Sequence, residues 1–217
     1  MSRPQAVIFD LGGTLVQTQD VLLTAMRETL AACGLPQPGE ARLAANLGWS
    51  EPLLLRGLVP PEAEAAATSR LLPLMRRSLA EAPAIAGAGE ALQRLAAQGL
   101  RLALVSGFFR ATLEAILAPL GWEHLFSATV AGDEVASPRP APDLLLAAAA
   151  RLSLPPSACL AVGDSLFDLA SAAACGMPFA AVLTGAQAAD LARRLPAGRR
   201  LPSVAELPAS ALLRTGP

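Results

Sequence analysis

The sequence contains no lysine; all 17 of its basic residues are arginine. That excludes a Schiff-base mechanism through a lysine side chain. Histidine occurs once, as His124, in Gly121-Trp-Glu-His-Leu-Phe126, a stretch that reads as a loop leading to a strand. Mechanisms of the Ser/His/Asp or Cys/His type would have to run through it, and are disfavoured. Cysteine is scarce: Cys33, Cys159 and Cys175 are an odd number without metal-ligand spacing. Each sits in an apolar helical or strand pattern, which predicts buried free thiols in a reducing compartment. Charge is low as well, at 16% of residues with a net charge of −1, so neither nucleic acid nor an anionic membrane is expected as a partner. No uninterrupted apolar run approaches the ~18 residues of a membrane span. The positive mean hydropathy of +0.45 comes from alanine and leucine spread over short helical patterns. Met1-Ser-Arg-Pro-Gln5 carries no signal-peptide pattern, and a cytoplasmic, soluble protein is expected.

What the chain does contain is organised around Ala6-Val-Ile-Phe-Asp-Leu-Gly-Gly-Thr-Leu-Val16. An apolar run ends in Asp10 and is followed by two glycines and a threonine, the pattern of a buried strand opening into a tight loop. In a parallel α/β sheet, ligands bind beyond the carboxyl ends of the strands, which makes Asp10 a functional candidate.

With 217 residues the chain can form one large domain or a core with a modest insertion. After the loop, Asp20 is expected to cap a helix carrying Leu22, Met26, Leu30 and Cys33, stopped by Gly34. From there to Pro83 the pattern is helical, with segments at Glu40–Leu47, Glu51–Gly57 and Glu62–Leu79 and no convincing strand. This reads as a small all-α insertion. Its Gly48-Trp-Ser50 turn is either a tip reaching over a pocket or a plain helix connection. Beyond Pro83, helices at 90–98, 111–120, 142–152 and 166–175 alternate with strands at 100–105, 128–130, 158–162 and 179–183. Continuous apolar strands between amphipathic helices imply an α/β fold with a parallel sheet covered on both faces. The right-handed crossover rule gathers the loops bearing Asp10, Ser106 and Asp164 at one edge. The tail docks, if anywhere, around Ser203–Leu207, and its last few residues are expected to fray. Gly87-Ala-Gly89 lacks both a preceding strand and a third glycine, so it is a turn and not a dinucleotide loop.

The chemistry-bearing residues lie at strand ends. Ser106 and Gly107 follow Leu-Ala-Leu-Val and offer a hydroxyl and backbone N–H groups to a phosphoryl oxygen. Arg139 lies in a proline-braced segment, Ser137-Pro-Arg-Pro-Ala-Pro-Asp143, that would hold one cation in place. Val162-Gly-Asp-Ser-Leu-Phe-Asp168 ends a strand with Asp164 and places Asp168 on the first helical turn; taken alone, Asp168 reads as a solvated helix residue. Asp10 and Asp164 together make a hard all-oxygen pocket of the kind Mg²⁺ occupies.

Taken in order, Phe9-Asp-Leu-Gly-Gly-Thr-Leu15, Leu104-Val-Ser-Gly107, Arg139-Pro-Ala-Pro-Asp143 and Val162-Gly-Asp-Ser-Leu-Phe-Asp168 resemble the four motifs of the haloacid dehalogenase superfamily. The helical stretch resembles the cap of its phosphoglycolate-phosphatase-like and β-phosphoglucomutase-like branch. The resemblance implies a Rossmann-like three-layer α/β/α core of residues 1–16 and 84–217, an inserted all-α cap of 17–83, and hydrolysis of a small phosphorylated metabolite through an aspartyl-phosphate. By the same resemblance Asp10 is the nucleophile and a Mg²⁺ ligand, joined by the Gly12 backbone carbonyl and Asp164, with Asp168 supporting the metal in the second shell. Ser106, Gly107 and Arg139 would hold the phosphoryl group, and the chain would act as a monomer or homodimer.

Two positions depart from the family pattern. Gly12 stands where phosphatases of the family carry an acid–base aspartate, and Arg139 stands where they carry lysine. A small residue at position 12 also fits phosphonate-cleaving members, but these need a cap lysine. A slow phosphatase and a non-catalytic module binding a phosphorylated ligand or a protein both stay open.

Overall fold

The computed structural model describes residues 3–137 and 139–214. Met1, Ser2, Pro138 of the proline-braced segment and the final residues 215–217 lie outside them.

Strand β1, Ala6–Asp10, is fully buried along its length. The chain then forms helices α1 (Gln19–Ala32), α2 (Glu40–Ala44) and α3 (Pro61–Leu79) before any further strand. Alternation follows: α4 (Ala88–Ala97), β2 (Arg101–Val105), α5 (Arg110–Leu117), β3 (Ala128–Val130), α6 (Asp143–Arg151), β4 (Cys159–Gly163), α7 (Leu166–Ala174), β5 (Phe179–Val182), α8 (Ala188–Arg194) and β6 (Arg200–Leu201). The strands form one six-stranded sheet in the order β3-β2-β1-β4-β5-β6, and every pairing is parallel.

Side chains of a strand point alternately to opposite faces, and β1 divides accordingly. Val7 and Phe9 join a core with Leu92, Leu95, Leu113 and Ile116 of α4 and α5. Ala6 and Ile8 join another with Leu144, Ala148, Ala172 and Leu191 of α6, α7 and α8. The result is a Rossmann-like three-layer fold.

The order places β2 on one side of β1 and β4 on the other, so the direction of winding reverses between β1 and β4. Adjacent crossover loops diverge there and leave a crevice at the carboxyl ends of the strands.

The helical segment leaves the sheet at Val16 and returns at Ala84, and these two residues form an antiparallel bridge. Gln17 N–H donates to Pro83 O at 2.9 Å and Ile85 N–H to Leu15 O at 2.8 Å. Inside the segment α1 packs on α3, and α3 on α5 of the sheet layer. The segment is helical throughout, but two of its elements are shorter than the pattern suggested. The helix expected over 40–47 ends at Ala44. The one expected over 51–57 is a single 3₁₀ turn, Glu51–Leu53, followed by turns up to Gly57, which takes a left-handed conformation.

Asp20 does not cap α1. It lies inside the first turn, and the flanking residue is Thr18, whose side chain makes no capping bond. The tail docks as expected: Val204 and Leu207 are buried in a 3₁₀ stretch packed on α4. The cysteines are free, but only Cys159 is buried; Cys33 and Cys175 are partly exposed. No helix among the described residues is long and apolar enough to cross a membrane.

Candidate active site

β1 delivers Asp10 to the carboxyl edge of the sheet, and β4 delivers Asp164 immediately after Gly163. The first turn of α7 adds Asp168, and oxygens of the three carboxylates lie within 4.8 Å of one another. Arg139 sits among them, 5% exposed. Its Nη2 pairs with Asp10 Oδ1, and its Nη1 lies 3.3 Å from Asp168 Oδ1. A lysine ammonium is one point of charge; the guanidinium fork reaches both acids at once.

Three buried acids against one cation leave negative charge uncompensated. Burial pushes the Asp10 carboxyl up to about 7; Arg139 opposes the shift and the charge of Asp168 adds to it. Burial, followed by the charges of Asp10 and Asp168, holds Asp164 well above the usual carboxylate range. Burial also works against the Arg139 guanidinium, but the charges of Asp10 and Asp168 outweigh it and raise its pKa.

Small residues allow this crowding. A β-carbon on Gly13, whose φ is +78°, or on Gly185 would collide with the Asp164 carboxylate, and one on Gly163 would meet Asp168. Thr14 Oγ1 donates to Asp164 Oδ1 at 3.3 Å, and Thr184 Oγ1 donates to Gly13 O at 2.6 Å. Asp168 is not the solvated helix residue its position alone suggested. It is 7% exposed, and its Oδ2 accepts from Ser165 N at 3.1 Å and Ser165 Oγ at 2.5 Å. In return its N–H reaches Ser165 Oγ at 3.2 Å, a reciprocal capping box that pins the first turn of α7.

Ser106, 2% exposed, follows β2. Its N–H is not free, because it donates to Val130 O at 3.0 Å. Its hydroxyl accepts from Phe108 N at 3.2 Å and keeps its own proton for another acceptor. Gly107 lies beneath the helical segment: a β-carbon there would come within 3.2 Å of Ser50 Cα.

These groups line one pocket of about 60 Å³ that includes Asp10, Gly12, Ser106, Gly107, Arg139 and Asp164. Asp168 lies behind this lining. The opposite wall comes from the helical segment through Leu22, Leu47, Trp49 and Leu54. The Gly48-Trp-Ser50 turn is therefore a tip over the pocket, with the Trp49 ring 5.0 Å from that of Phe167 on α7. His124 lies away from the pocket, in the 3₁₀ turn Glu123–Leu125.

Two residues at this site had not stood out in the sequence. Thr18 lines the pocket, and its Oγ1 lies 2.6 Å from where a β-carbon on Gly12 would be. Glu51, fully buried, accepts from Phe109 N at 2.7 Å and from Thr112 Oγ1 at 3.0 Å. Its backbone N–H donates to Gly107 O at 3.1 Å, so it ties the helical segment to the loop after β2. Burial raises its pKa.

Residues 4–176 match the family model for haloacid dehalogenase-like hydrolases. The chain belongs to this family. Among haloacid dehalogenase-like relatives, the CbbY protein of Rhodobacter capsulatus is 36% identical over 191 residues, covering 80% of this chain and 82% of the relative. A phosphoglycolate phosphatase of Xanthomonas campestris is 32% identical over 195 residues, covering 88% of each chain. The crystal structure of CbbY from Rhodobacter sphaeroides in complex with phosphate superposes with a TM-score of 0.77 at 27% identity, covering 94% of this chain and 96% of that one.

Proposed function

We propose that this hydrolase is a Mg²⁺-dependent phosphatase of a small phosphomonoester, acting through an aspartyl-phosphate on Asp10. The observation that carries the reading is the convergence of Asp10, Asp164 and Arg139 on one pocket faced by Ser106 and Gly107. The similarity to a phosphoglycolate phosphatase and to a phosphate-bound CbbY supports it.

The acids fit a hard divalent cation: they offer only oxygen, and burial, with the neighbouring carboxylate charges adding to it, raises the pKa of Asp10 and Asp164. Asp10, Asp164 and the Gly12 carbonyl would hold Mg²⁺, with Asp168 behind them, braced by Ser165 and Arg139. When bound, the ion would offset charge on the phosphoryl oxygens.

The chain's own residues supply the rest. An Asp10 carboxylate oxygen forms a bond to phosphorus as the ester P–O bond breaks, and water then hydrolyses the aspartyl-phosphate to return Asp10 and inorganic phosphate. The Ser106 hydroxyl and the Gly107 N–H donate to phosphoryl oxygens, and Arg139 keeps Asp10 aimed and adds positive charge. Residues 17–83 act as a cap that closes over the pocket and excludes water. A cytoplasmic enzyme, monomeric or homodimeric, accords with this reading.

Phosphate release from a broad panel of phosphomonoesters tests it. Release should require Mg²⁺, stop with a chelator, and fall ~10⁴-fold or more in Asp10→Asn. A folded wild-type protein that releases nothing, or an Asp10→Asn variant of full activity, would leave a binding module as the better account.

A further inference from the structure

The wall facing the acids carries no compensating charge for a second anion. The charged side chains lining the pocket are Asp10, Asp164 and Arg139, and Arg139 is engaged by Asp10 and Asp168. The arginines of the helical segment are used elsewhere. Arg27 pairs with Glu40 on the surface, Arg42 donates to Gly57 O, Arg76 donates to Thr112 Oγ1, and Arg56, Arg70 and Arg77 are exposed. What else lines the site is uncharged: Leu22, Leu47, Trp49, Leu54 and Phe108 make it mainly apolar, with the hydroxyls of Thr18 and Ser165 and the amides of Gln19 and Gln187 as its neutral polar groups. A carboxylate or second phosphate placed against that surface would be a buried charge without a partner, which is strongly unfavourable. The volume of about 60 Å³ is several times the ~10–15 Å³ that a single water needs, room for a small group such as a phosphoryl.

The pocket also lacks a proton donor for the departing oxygen. Asp10 and Asp164 are assigned to bond formation and the metal, and among the described residues no glutamate, histidine or cysteine lines the cavity. The hydroxyls of Thr18, Ser106 and Ser165 are too weakly acidic to serve, since a general acid works best with a pKa near the working pH. An oxygen leaving without a proton must itself be a weak base.

From these two independent features we infer that the substrate is a phosphate ester of an uncharged, apolar and weakly basic leaving group, of the phenol or enol class. This rests on the phosphatase reading. It separates the chain from its relative named for phosphoglycolate, an ester whose leaving group carries a carboxylate and, unless protonated, is a strongly basic alkoxide.

The test is Mg²⁺-dependent phosphate release from substituted phenyl phosphates, ethyl phosphate and phosphoglycolate. Expected is a steep rise in kcat/KM as the phenol becomes more acidic, with phosphoglycolate ~10²-fold or more below phenyl phosphate. Phosphoglycolate hydrolysed as well as phenyl phosphate overturns the inference and leaves the phosphatase reading standing. No release from any of them by folded protein overturns the phosphatase reading, and the inference with it. Trp49→Arg would put a cation in the wall, with Trp49→Gln as the neutral control. The ratio of phosphoglycolate to phenyl phosphate turnover should rise ~10-fold or more in Trp49→Arg and stay put in Trp49→Gln. A ratio unchanged in folded Trp49→Arg counts against the wall as the selector; if that variant does not fold, the wild-type comparison decides alone.

Discussion

Beside Gly12 the space is occupied. A β-carbon there would sit 2.6 Å from Thr18 Oγ1, with Thr18 Cγ2 and Cβ at comfortable distances of 3.5 and 3.6 Å. Gly12 is not among the glycines of positive φ, so its backbone accepts a side chain and the obstacle is that single oxygen. Gly12→Asp alone must push Thr18 aside, whereas Gly12→Asp combined with Thr18→Ala has the room. On esters of basic alcohols the double variant should recover part of the ~10²–10⁴-fold that general acid catalysis supplies. The single Gly12→Asp should gain less, and Thr18→Ala alone should gain nothing. Equal gains for the single and double variants would show that Thr18 simply rotates away. No gain in either would show that proton transfer does not limit the rate. Asp10, Ser106, Arg139 and Asp164, which the structure gathers at one pocket, were readable as candidates because each stands where an apolar strand stops or a proline-rich segment stiffens the chain. Thr18 was not, because it comes to Gly12 only when the loop folds back, with Gly13 N–H on Val16 O at 2.8 Å. Its hydroxyl carries no pattern of its own, and Asp20 is the more conspicuous cap residue beside it.

Between elements, the connection that matters most runs through Glu51. It comes from the helical segment, yet its carboxylate accepts the Phe109 N–H and the Thr112 hydroxyl at the start of α5, next to the loop that carries Ser106. Glu51→Ala would leave a buried N–H and hydroxyl unpaired, a cost of about 1–3 kcal/mol. For a chain of this size each kcal/mol lowers Tm by about 2–4 °C. Thermal unfolding should show that fall, with Glu51→Gln milder because it keeps an acceptor oxygen. kcat should drop as well, since the carboxylate that anchors the Phe109 N–H and the Thr112 hydroxyl beside the Ser106 loop would be gone. An unchanged Tm and kcat in Glu51→Ala would mean that the link does not position the loop. In the sequence Glu51 only opens the helical segment Glu51–Gly57, and nothing local says that the residue spans to another layer. The same limit explains the elements that went unread. β6 has two residues and α8 seven, too short for periodicity to register. The longer strands announced themselves by unbroken apolar runs, each buried on both faces.

For the molecule as a whole, the alternation of strands and helices made the parallel sheet legible, but the order of strands came only with the structure. It is the reversal of winding between β1 and β4 that puts Asp10 and Asp164 in one crevice, and the electrostatic cost of that placement reaches the entire fold. Asp10 and Asp164 have raised pKa values in the native state, as does Glu51, whereas in the unfolded chain they titrate near ordinary carboxylate values. Between those limits the native state binds more protons than the unfolded one, so stability must fall as pH rises. For Asp10 the window runs from its unfolded value of 3.8 to about 7: the contribution is fully present below the lower limit and lost above the upper. The metal-free protein should therefore melt at a lower temperature at pH 7.5 than at pH 5, a trend opposite to that of proteins whose acids are paired in the native state. Mg²⁺ acts on the same charges from the other side. It binds the deprotonated acids of the native state, so the rise in Tm on adding it should be larger at pH 7.5 than at pH 5. Asp164→Asn removes one of the crowded charges; it should raise the Tm of the metal-free protein at pH 7.5 and abolish most of the Mg²⁺ response. Melting curves with and without Mg²⁺ at the two pH values decide the matter. A metal-free protein that gains stability between pH 5 and 7.5, or a Mg²⁺ shift that is the same at both, would mean that the acid cluster is not the seat of the strain assigned to it.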